Sequence, residues 1–427
     1  MAKKYIIKTL SLLGFSSLAG AGLAFLTQIL LARNLGVNEY GAFSSAFGTV
    51  ALLTPLAGFG IAPMWLKVFG LEGEAGKRWV RPSFIFSICS TALTIFFIVL
   101  WAILIDHDAL NRVLLLIMST YIFGQVFLEL VSARLQLEER YLNLSIWQFL
   151  PHLGRFLLIC LVVYTVRESA EAIYVAISYS AVSLLASLFG LRYLRGMATS
   201  GVQLVKGQDY YKYIDGVGVT IKDVIKACWP FGVGAFAHLI YYQSDIVMIQ
   251  YFTGDKAAGE YNIAFIIMTA VYLLPSMVYQ KFLMPKIHRW SNYDLEKLYK
   301  VYKLGSRYML ILGCISTVVL WLLGEWGIAF LFGEEYKNSS SLLNILALSA
   351  PIIFLALSAG SVLVTQEHML EKVKYMLLVA VINVLLNLLC IPAWGAEGAA
   401  VTTVISNLLL LCLYLYGANR SVFIFKN

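Results

Sequence analysis

The chain has 427 residues, 60% of them apolar and only 13% charged, with a mean hydropathy of +0.78 and a formal net charge of +8. Soluble domains are about 45–50% apolar and about 25% charged, so the composition excludes a soluble globular protein, a disordered chain and a nucleic-acid-binding module. The surplus of Lys and Arg is the kind a membrane protein uses to fix its orientation.

About 20 apolar residues at about 1.5 Å each cross about 30 Å of hydrocarbon. Twelve runs meet that length: 9–32, 42–66, 83–105, 112–132, 143–166, 172–194, 227–251, 261–283, 305–332, 339–363, 372–391 and 398–417. The first, after Met-Ala-Lys-Lys, is too long for the core of a signal peptide and reads as a retained span. Only helices and closed barrels satisfy their backbone in lipid, and barrel strands alternate over about 10 residues. These runs are continuous, so the expected fold class is all-α: a polytopic membrane protein of twelve transmembrane helices.

The loops set the orientation. With the N-terminus placed in the cytoplasm, 26 of the 32 Lys and Arg fall on cytoplasmic loops. Five (Arg33, Arg112, Arg167, Lys256, Lys337) fall outside, and Arg155 lies within a span. That bias predicts both termini in the cytoplasm. Two cytoplasmic loops are long, 195–226 and 284–304. The first is glycine-rich and ends in an amphipathic stretch, Val219–Ala227. The expected domains are therefore an N-lobe of six spans (1–200), a linker (201–226) and a C-lobe of six spans (227–427). The six cysteines sit in or beside apolar runs without a C-x-x-C pair, and read as small core residues. Trp65, Trp79, Trp101, Trp326 and Trp394 read as membrane belts.

A shift of 218 residues brings the two halves into register. Gly36-Val37-Asn38-Glu39-Tyr40-Gly41-Ala42-Phe43 then falls on Gly254-Asp255-Lys256-Ala257-Ala258-Gly259-Glu260-Tyr261, both reading G-x-x-x-x-G-x-aromatic. Six spans per half give a parallel repeat, an architecture suited to alternating access with substrate between two lobes. Ser16, Gly20 and Ala24 form a small-residue face on the first span. Pro55, Pro151, Pro230 and Pro275 predict kinks.

Polar groups inside the hydrocarbon are expensive and mark function or a structural ion pair. Gln148, His152 and Arg155 share one face of the fifth span. An arginine fork there suits a phosphate or diphosphate, so the three are candidate substrate-binding residues. The alternative for Arg155 is a structural pair with Glu129 or Asp245. His238, Tyr241, Tyr242 and Asp245 share a face of the seventh span. Asp245 and His238 are candidate ion-coupling groups for protons or sodium, and Tyr242 joins the substrate-binding set. The alternative is an Asp245 that simply lies near the interface. Asn383 and Asn387 read as glue between helices. Glu129 falls near the cytoplasmic end of its span, and Glu325 toward the outer end of the ninth.

No H-E-x-x-H, G-x-S-x-G or Walker A motif occurs, and no loop could hold a nucleotide domain, so neither an enzyme nor a cofactor is expected. The stretch Leu30-Leu31-Ala32-Arg33-Asn34-Leu35-Gly36-Val37-Asn38-Glu39-Tyr40-Gly41, then Leu56-Ala57-Gly58-Phe59-Gly60, with the echo at Gly254–Tyr261, resembles the Wzx-type polysaccharide flippases of the MOP transporter superfamily. The 6+6 spans and midpoint linker are similar to that family. The resemblance implies a flippase carrying undecaprenyl-diphosphate-linked oligosaccharide from the cytoplasmic to the periplasmic leaflet of a bacterial inner membrane. Its product would be O-antigen (lipopolysaccharide) or capsule. Lipid-linked oligosaccharide, membrane lipids, a polysaccharide polymerase and a chain-length regulator are the implied partners, and nucleic acid is not. Arg155 matches no family motif, so its role rests on its own chemistry. The lipid II flippases of the superfamily often have two extra spans and several arginines in the first spans, which this chain lacks. The competing readings are an ion-coupled multidrug exporter, for which an acidic cavity would speak, and a membrane glycan polymerase or ligase, which would need a large outer loop.

Overall fold

The computed structural model describes residues 2–105, 108–166, 171–200, 202, 218–364 and 369–423. Most of the expected linker (201 and 203–217) lies outside the described residues. The described chain is almost wholly helical and contains no strand. Its helices are α1 (Ala2–Gly58), α2 (Ile61–Glu72), α3 (Val80–Leu104), α4 (Ala109–Met118), α5 (Tyr121–Leu137), α6 (Tyr141–Val166) and α7 (Ala172–Ser200). They continue as α8 (Ile221–Thr253), α9 (Asp255–Met277), α10 (Met284–Tyr293), α11 (Leu295–Phe332), α12 (Ser339–Ala347), α13 (Ser349–Val362) and α14 (Met369–Gly417).

By length and composition eight runs can cross a membrane, and the bent pair α12–α13 makes a ninth. The run Leu12–Leu104 covers three of the expected spans and Met369–Val422 covers two. The other six runs and the bent pair cover one each, which recovers the twelve. The chain is a multi-pass membrane protein.

The chain forms two compact units, Met1–Asn34 with Ala46–Leu239, and Leu35–Ser45 with Ile240–Asn427. The boundary falls inside α8, and a short piece of α1 is grouped with the second half of the chain.

In the first unit the chain breaks between α1 and α2, where Phe59 and Gly60 take positive φ angles of 38° and 78°. The Ala57 carbonyl next to the break is taken up by the hydroxyls of Ser90 and, at 3.4 Å, Thr91, both on α3. In lipid a freed carbonyl costs several kcal/mol unless something replaces its partner, and the two hydroxyls do so. At the turn into α6, Glu138 is held between Arg134 (2.8 Å) and Arg140 (3.4 Å).

The second unit handles a proline in the same way. Pro351 has no N–H for the Ala347 carbonyl four residues back, and α12 and α13 meet at 42° there. Thr317 on α11 donates to that carbonyl at 2.7 Å, while Gly313, one turn before it, lets Pro351 pack directly on α11.

The G-x-x-x-x-G repeat also has a physical reason. Gly36 and Gly254, equivalent under the shift, adopt φ of 71° and 94°, a region open to glycine because it lacks Cβ. The second glycines of the two motifs, Gly41 and Gly259, pack against one another's loops: a Cβ on Gly41 would overlap the Asp255 carbonyl. Asn262, the repeat partner of Ser44, donates to Ser44 at 3.0 Å and to Tyr40 at 2.9 Å. Tyr336 closes over Tyr40 edge-on, at 5.9 Å between ring centroids.

Several expectations need correction. The 284–304 loop is helical, as α10 and the first turns of α11. Val219–Ala227 is no separate element, because α8 starts at Ile221 and runs on. Trp65 is not a belt residue: it is fully buried against Phe84. All six cysteines are free, but Cys89, Cys314 and Cys412 are exposed rather than core. An exposed thiol on an apolar helix face is stable in lipid, so burial in protein is not required of it.

Two outcomes follow. Gly41→Ala lowers the melting temperature in detergent, at a cost of about 1–3 kcal/mol for overpacking, while Gly14→Ala, where a methyl meets nothing within 4 Å, leaves it unchanged. Thr317→Val, isosteric but without the donor, destabilises by about 1–3 kcal/mol, read in the same thermal assay.

Candidate substrate cavity and buried acidic site

A cavity of about 770 Å3 lies in the first unit, walled by α1, α2, α5, α6 and the first half of α8. The break at Gly60 forms part of its wall, with Ala62 and Pro63 behind it. Ser16 and Gly20, two of the three small residues noted on the first span, also line it. Gly20 is small because the His152 ring sits against it: a Cβ there would lie 3.1 Å from that ring.

The structure brings Gln148, His152 and His238 to this cavity, together with Ser132 and Gln136. It also brings Glu129. That carboxylate is exposed into the cavity from the middle of α5, beside Gly58. It stands eight residues before the C-terminal end of its apolar run, Ala109–Leu137. A lone carboxylate in an apolar run was the signal for it.

Arg155 is not among the lining residues. Its guanidinium lies between the rings of Tyr121 and Tyr179, at 4.9 and 5.2 Å from their centroids. Phe47 packs edge-on against both tyrosines, at 5.4 and 5.7 Å. No ion pair to Arg155 occurs among the described residues, and its Nε is buried without a hydrogen-bond partner. Two π faces take the place of a counter-ion. Neither Glu129 nor Asp245 is the structural partner considered for it.

Asp245 is 2% exposed and belongs to the second unit. Its Oδ2 accepts from Tyr261 (2.7 Å) and Thr403 (2.5 Å), and its Oδ1 accepts from Asn387 (2.6 Å). Asn387 also donates to Asn383 at 3.2 Å, Asn383 donates to Ser406, and Ser244 donates to Asn383. Thr402 donates to the Asn387 carbonyl oxygen. The helices α8, α9 and both halves of α14 converge here, with α14 broken at Gly395 (φ 59°). The carboxylate thus has three neutral donors and, among the described residues, no ion pair. Asp245 is buried in protein, and Asn383 and Asn387 join helices as expected, tying α8 to both halves of α14. Their i, i+4 spacing on an apolar helix was the legible signal, but its target was not.

His238 lies on the cavity wall of the first unit, and Asp245 belongs to the second. Tyr242 packs edge-on against Tyr241 (5.3 Å) and Phe265 (6.2 Å), and Tyr241 donates to Asn407.

A family model described as polysaccharide biosynthesis protein matches residues 6–291, about two thirds of the chain. The chain belongs to the polysaccharide biosynthesis protein family. Within the family's wider relations, a Shigella dysenteriae protein named for O-antigen transport is 23% identical over 226 residues, which are 52% of this chain and 56% of that protein. The Staphylococcus aureus capsular polysaccharide biosynthesis protein CapF is 25% identical over 177 residues, 41% of this chain and 44% of CapF. The matches thus span about half the length of these relatives. Among solved structures, the lipid II flippase MurJ superposes with a TM-score of 0.75 at 15% identity, over 96% of this chain and 87% of that one. An inward-facing MATE multidrug transporter of the MOP superfamily gives 0.71 at 13% identity, over 95% and 96%. This polysaccharide biosynthesis protein therefore has the all-helical, twelve-span, two-lobe MOP fold.

Removing the Asp245 carboxylate strands three buried donors. Asp245→Ala is expected to destabilise by about 1–3 kcal/mol or more for the donors left unsatisfied, and Asp245→Asn by much less, in thermal unfolding of purified protein.

Proposed function

We propose that the protein is a flippase that moves undecaprenyl-diphosphate-linked oligosaccharide repeat units from the cytoplasmic to the periplasmic leaflet of the bacterial inner membrane, by alternating access, for O-antigen or capsule assembly. The observation that carries this reading is a cavity of about 770 Å3, mostly apolar but lined also by Glu129, Gln136, Gln148, His152 and His238, inside a helical unit of a polysaccharide biosynthesis family member. Such a volume is in the range of small-ligand sites, and lipid gives no other reason to collect hydroxyls, amides and imidazoles at one place. Lipid-linked substrate fits the family and the relatives named for O-antigen transport and capsule biosynthesis.

The residue roles in this reading are as follows. Gln148 and His152 contact substrate in the cavity. Arg155, one turn along α6, supplies a fixed positive charge from behind the wall, held by its two tyrosines. Tyr242 is the substrate-facing candidate of the second unit. Asp245 is the coupling group: a carboxylate with neutral oxygen-bearing neighbours takes up a proton or a sodium ion without displacing a resident cation. His238 contributes a second titratable group at the cavity. Transport needs no catalytic residue. Both termini face the cytoplasm in this reading, and a polymerase and chain-length regulator take the product onward.

One observation favours the multidrug exporter as the second reading. The formal charge lining the cavity is Glu129, not Arg155, and an acidic cavity suits a cationic drug.

The test is a deletion strain assayed by mass spectrometry for undecaprenyl-diphosphate oligosaccharide, alongside surface polymer. Single repeat units accumulating as surface polymer disappears, both reversed by the wild-type gene, are expected. Unchanged lipid-linked pools with increased drug susceptibility would move the reading to the exporter. In vesicles, Asp245→Asn is expected to abolish the dependence of transport on a proton or sodium gradient, and an unaltered dependence would make Asp245 structural.

A further inference from the structure

We propose that the cavity of the first unit is a sugar subsite, with Glu129 as its specificity-determining acceptor, and that the substrate's diphosphate stays outside it. This rests on the flippase reading above and says which part of the substrate the cavity takes.

The argument is a census of donors and acceptors. A diphosphate offers only acceptor oxygens and carries negative charge, so its sites are built from donors: Arg forks, Lys ammonium groups, backbone N–H. Among the described residues lining this cavity there is no lysine and no arginine. Arg155, the cation expected for that task, is occupied between Tyr121 and Tyr179. The formal charge that the cavity does present is Glu129, which repels a diphosphate and can accept hydrogen bonds at both oxygens.

A sugar hydroxyl is a donor and an acceptor at once, and needs both kinds of partner. The lining supplies them. Glu129 accepts, Gln136 and Gln148 each donate and accept, and His152 does either. The remaining wall carries apolar surface at Leu128 and Phe231, against which the C–H faces of a sugar ring can lie. Glu129 is the distinctive member. It is the carboxylate among the lining groups, costly to place in a membrane helix, and no ion pair to it occurs among the described residues. A carboxylate exposed into a cavity accepts from substrate hydroxyls more strongly than any neutral group there, because hydrogen bonds to an ionised acceptor are roughly twice as strong.

The experiment measures binding to purified full-length protein in detergent with four probes. They are the lipid-linked oligosaccharide extracted from the deletion strain, the free oligosaccharide released from it by mild acid, undecaprenyl diphosphate, and ethidium. For the wild type, the free oligosaccharide is expected to compete with the lipid-linked form. Glu129→Gln is expected to weaken both sugar-bearing probes by about tenfold or more and to leave undecaprenyl diphosphate binding unchanged. Three results would overturn the subsite: free oligosaccharide that does not compete on the wild type, Glu129→Gln with all affinities unchanged, or a loss confined to undecaprenyl diphosphate. The wild-type competition does not depend on the variant folding. A wild type that binds ethidium but not the lipid-linked oligosaccharide overturns the flippase reading itself, and is distinguishable from failure of the subsite alone.

Discussion

Every backbone N–H and C=O of this chain that lies in hydrocarbon must find a partner inside the protein, and the rest of the structure follows from how that is met. Unbroken helix satisfies it automatically, which is why most of the described chain is helix. The informative places are where helix stops. At Phe59–Gly60 the Ala57 carbonyl is met by Ser90 and Thr91 from α3. At Pro351 the Ala347 carbonyl is met by Thr317 from α11. In both cases a neighbouring helix supplies a hydroxyl, so a defect in one helix becomes a specific contact with another. The first break also opens the wall of the cavity, where Gly60, Ala62 and Pro63 stand in place of a continuous helix face.

The same constraint applies more severely to charge, and three ionisable groups meet it in three ways. Arg155 is held between aromatic faces, which stabilise the cation without an anion and leave its charge in place. Asp245 is buried and hydrogen-bonded by Tyr261, Thr403 and Asn387, which solvate it without cancelling its charge. Glu129 is placed where the protein leaves room for a ligand. A charge that is solvated but not neutralised, or exposed to a cavity, remains free to respond to an arriving ion or substrate. A charge sealed between rings does not. That difference sorts the three into two candidates for chemistry and one for holding the first unit together.

The internal repeat shows how a pattern in one dimension becomes a contact in three. Gly36 and Gly254 permit the same left-handed turn in each half. Gly41 and Gly259 then allow the two turns to meet without side chains between them, and Asn262 bonds to its own repeat equivalent, Ser44. The grouping of Leu35–Ser45 with the second half of the chain is the consequence.

The sequence by itself determined the class and the spans. Hydropathy is summed over some twenty residues, so single errors average out, and the twelve runs reappear as helices, with α1 broken at Gly36 and α14 at Gly395. The family signature was legible for the same kind of reason: turn glycines are fixed by local backbone geometry, which the local sequence specifies. The site was only partly legible. A helical face could be written down, so Gln148 and His152 were found together, and the polar residues that do not belong in lipid could be named. What those residues face depends on helices distant in sequence. Asp245 meets Asn387, 142 positions away, and Thr403, 158 positions away. Arg155 turns to tyrosines on α5 and α7 rather than to the cavity one turn behind it. Only the tertiary structure decided those partners, because periodicity fixes which side of a helix a residue is on and packing fixes what stands opposite.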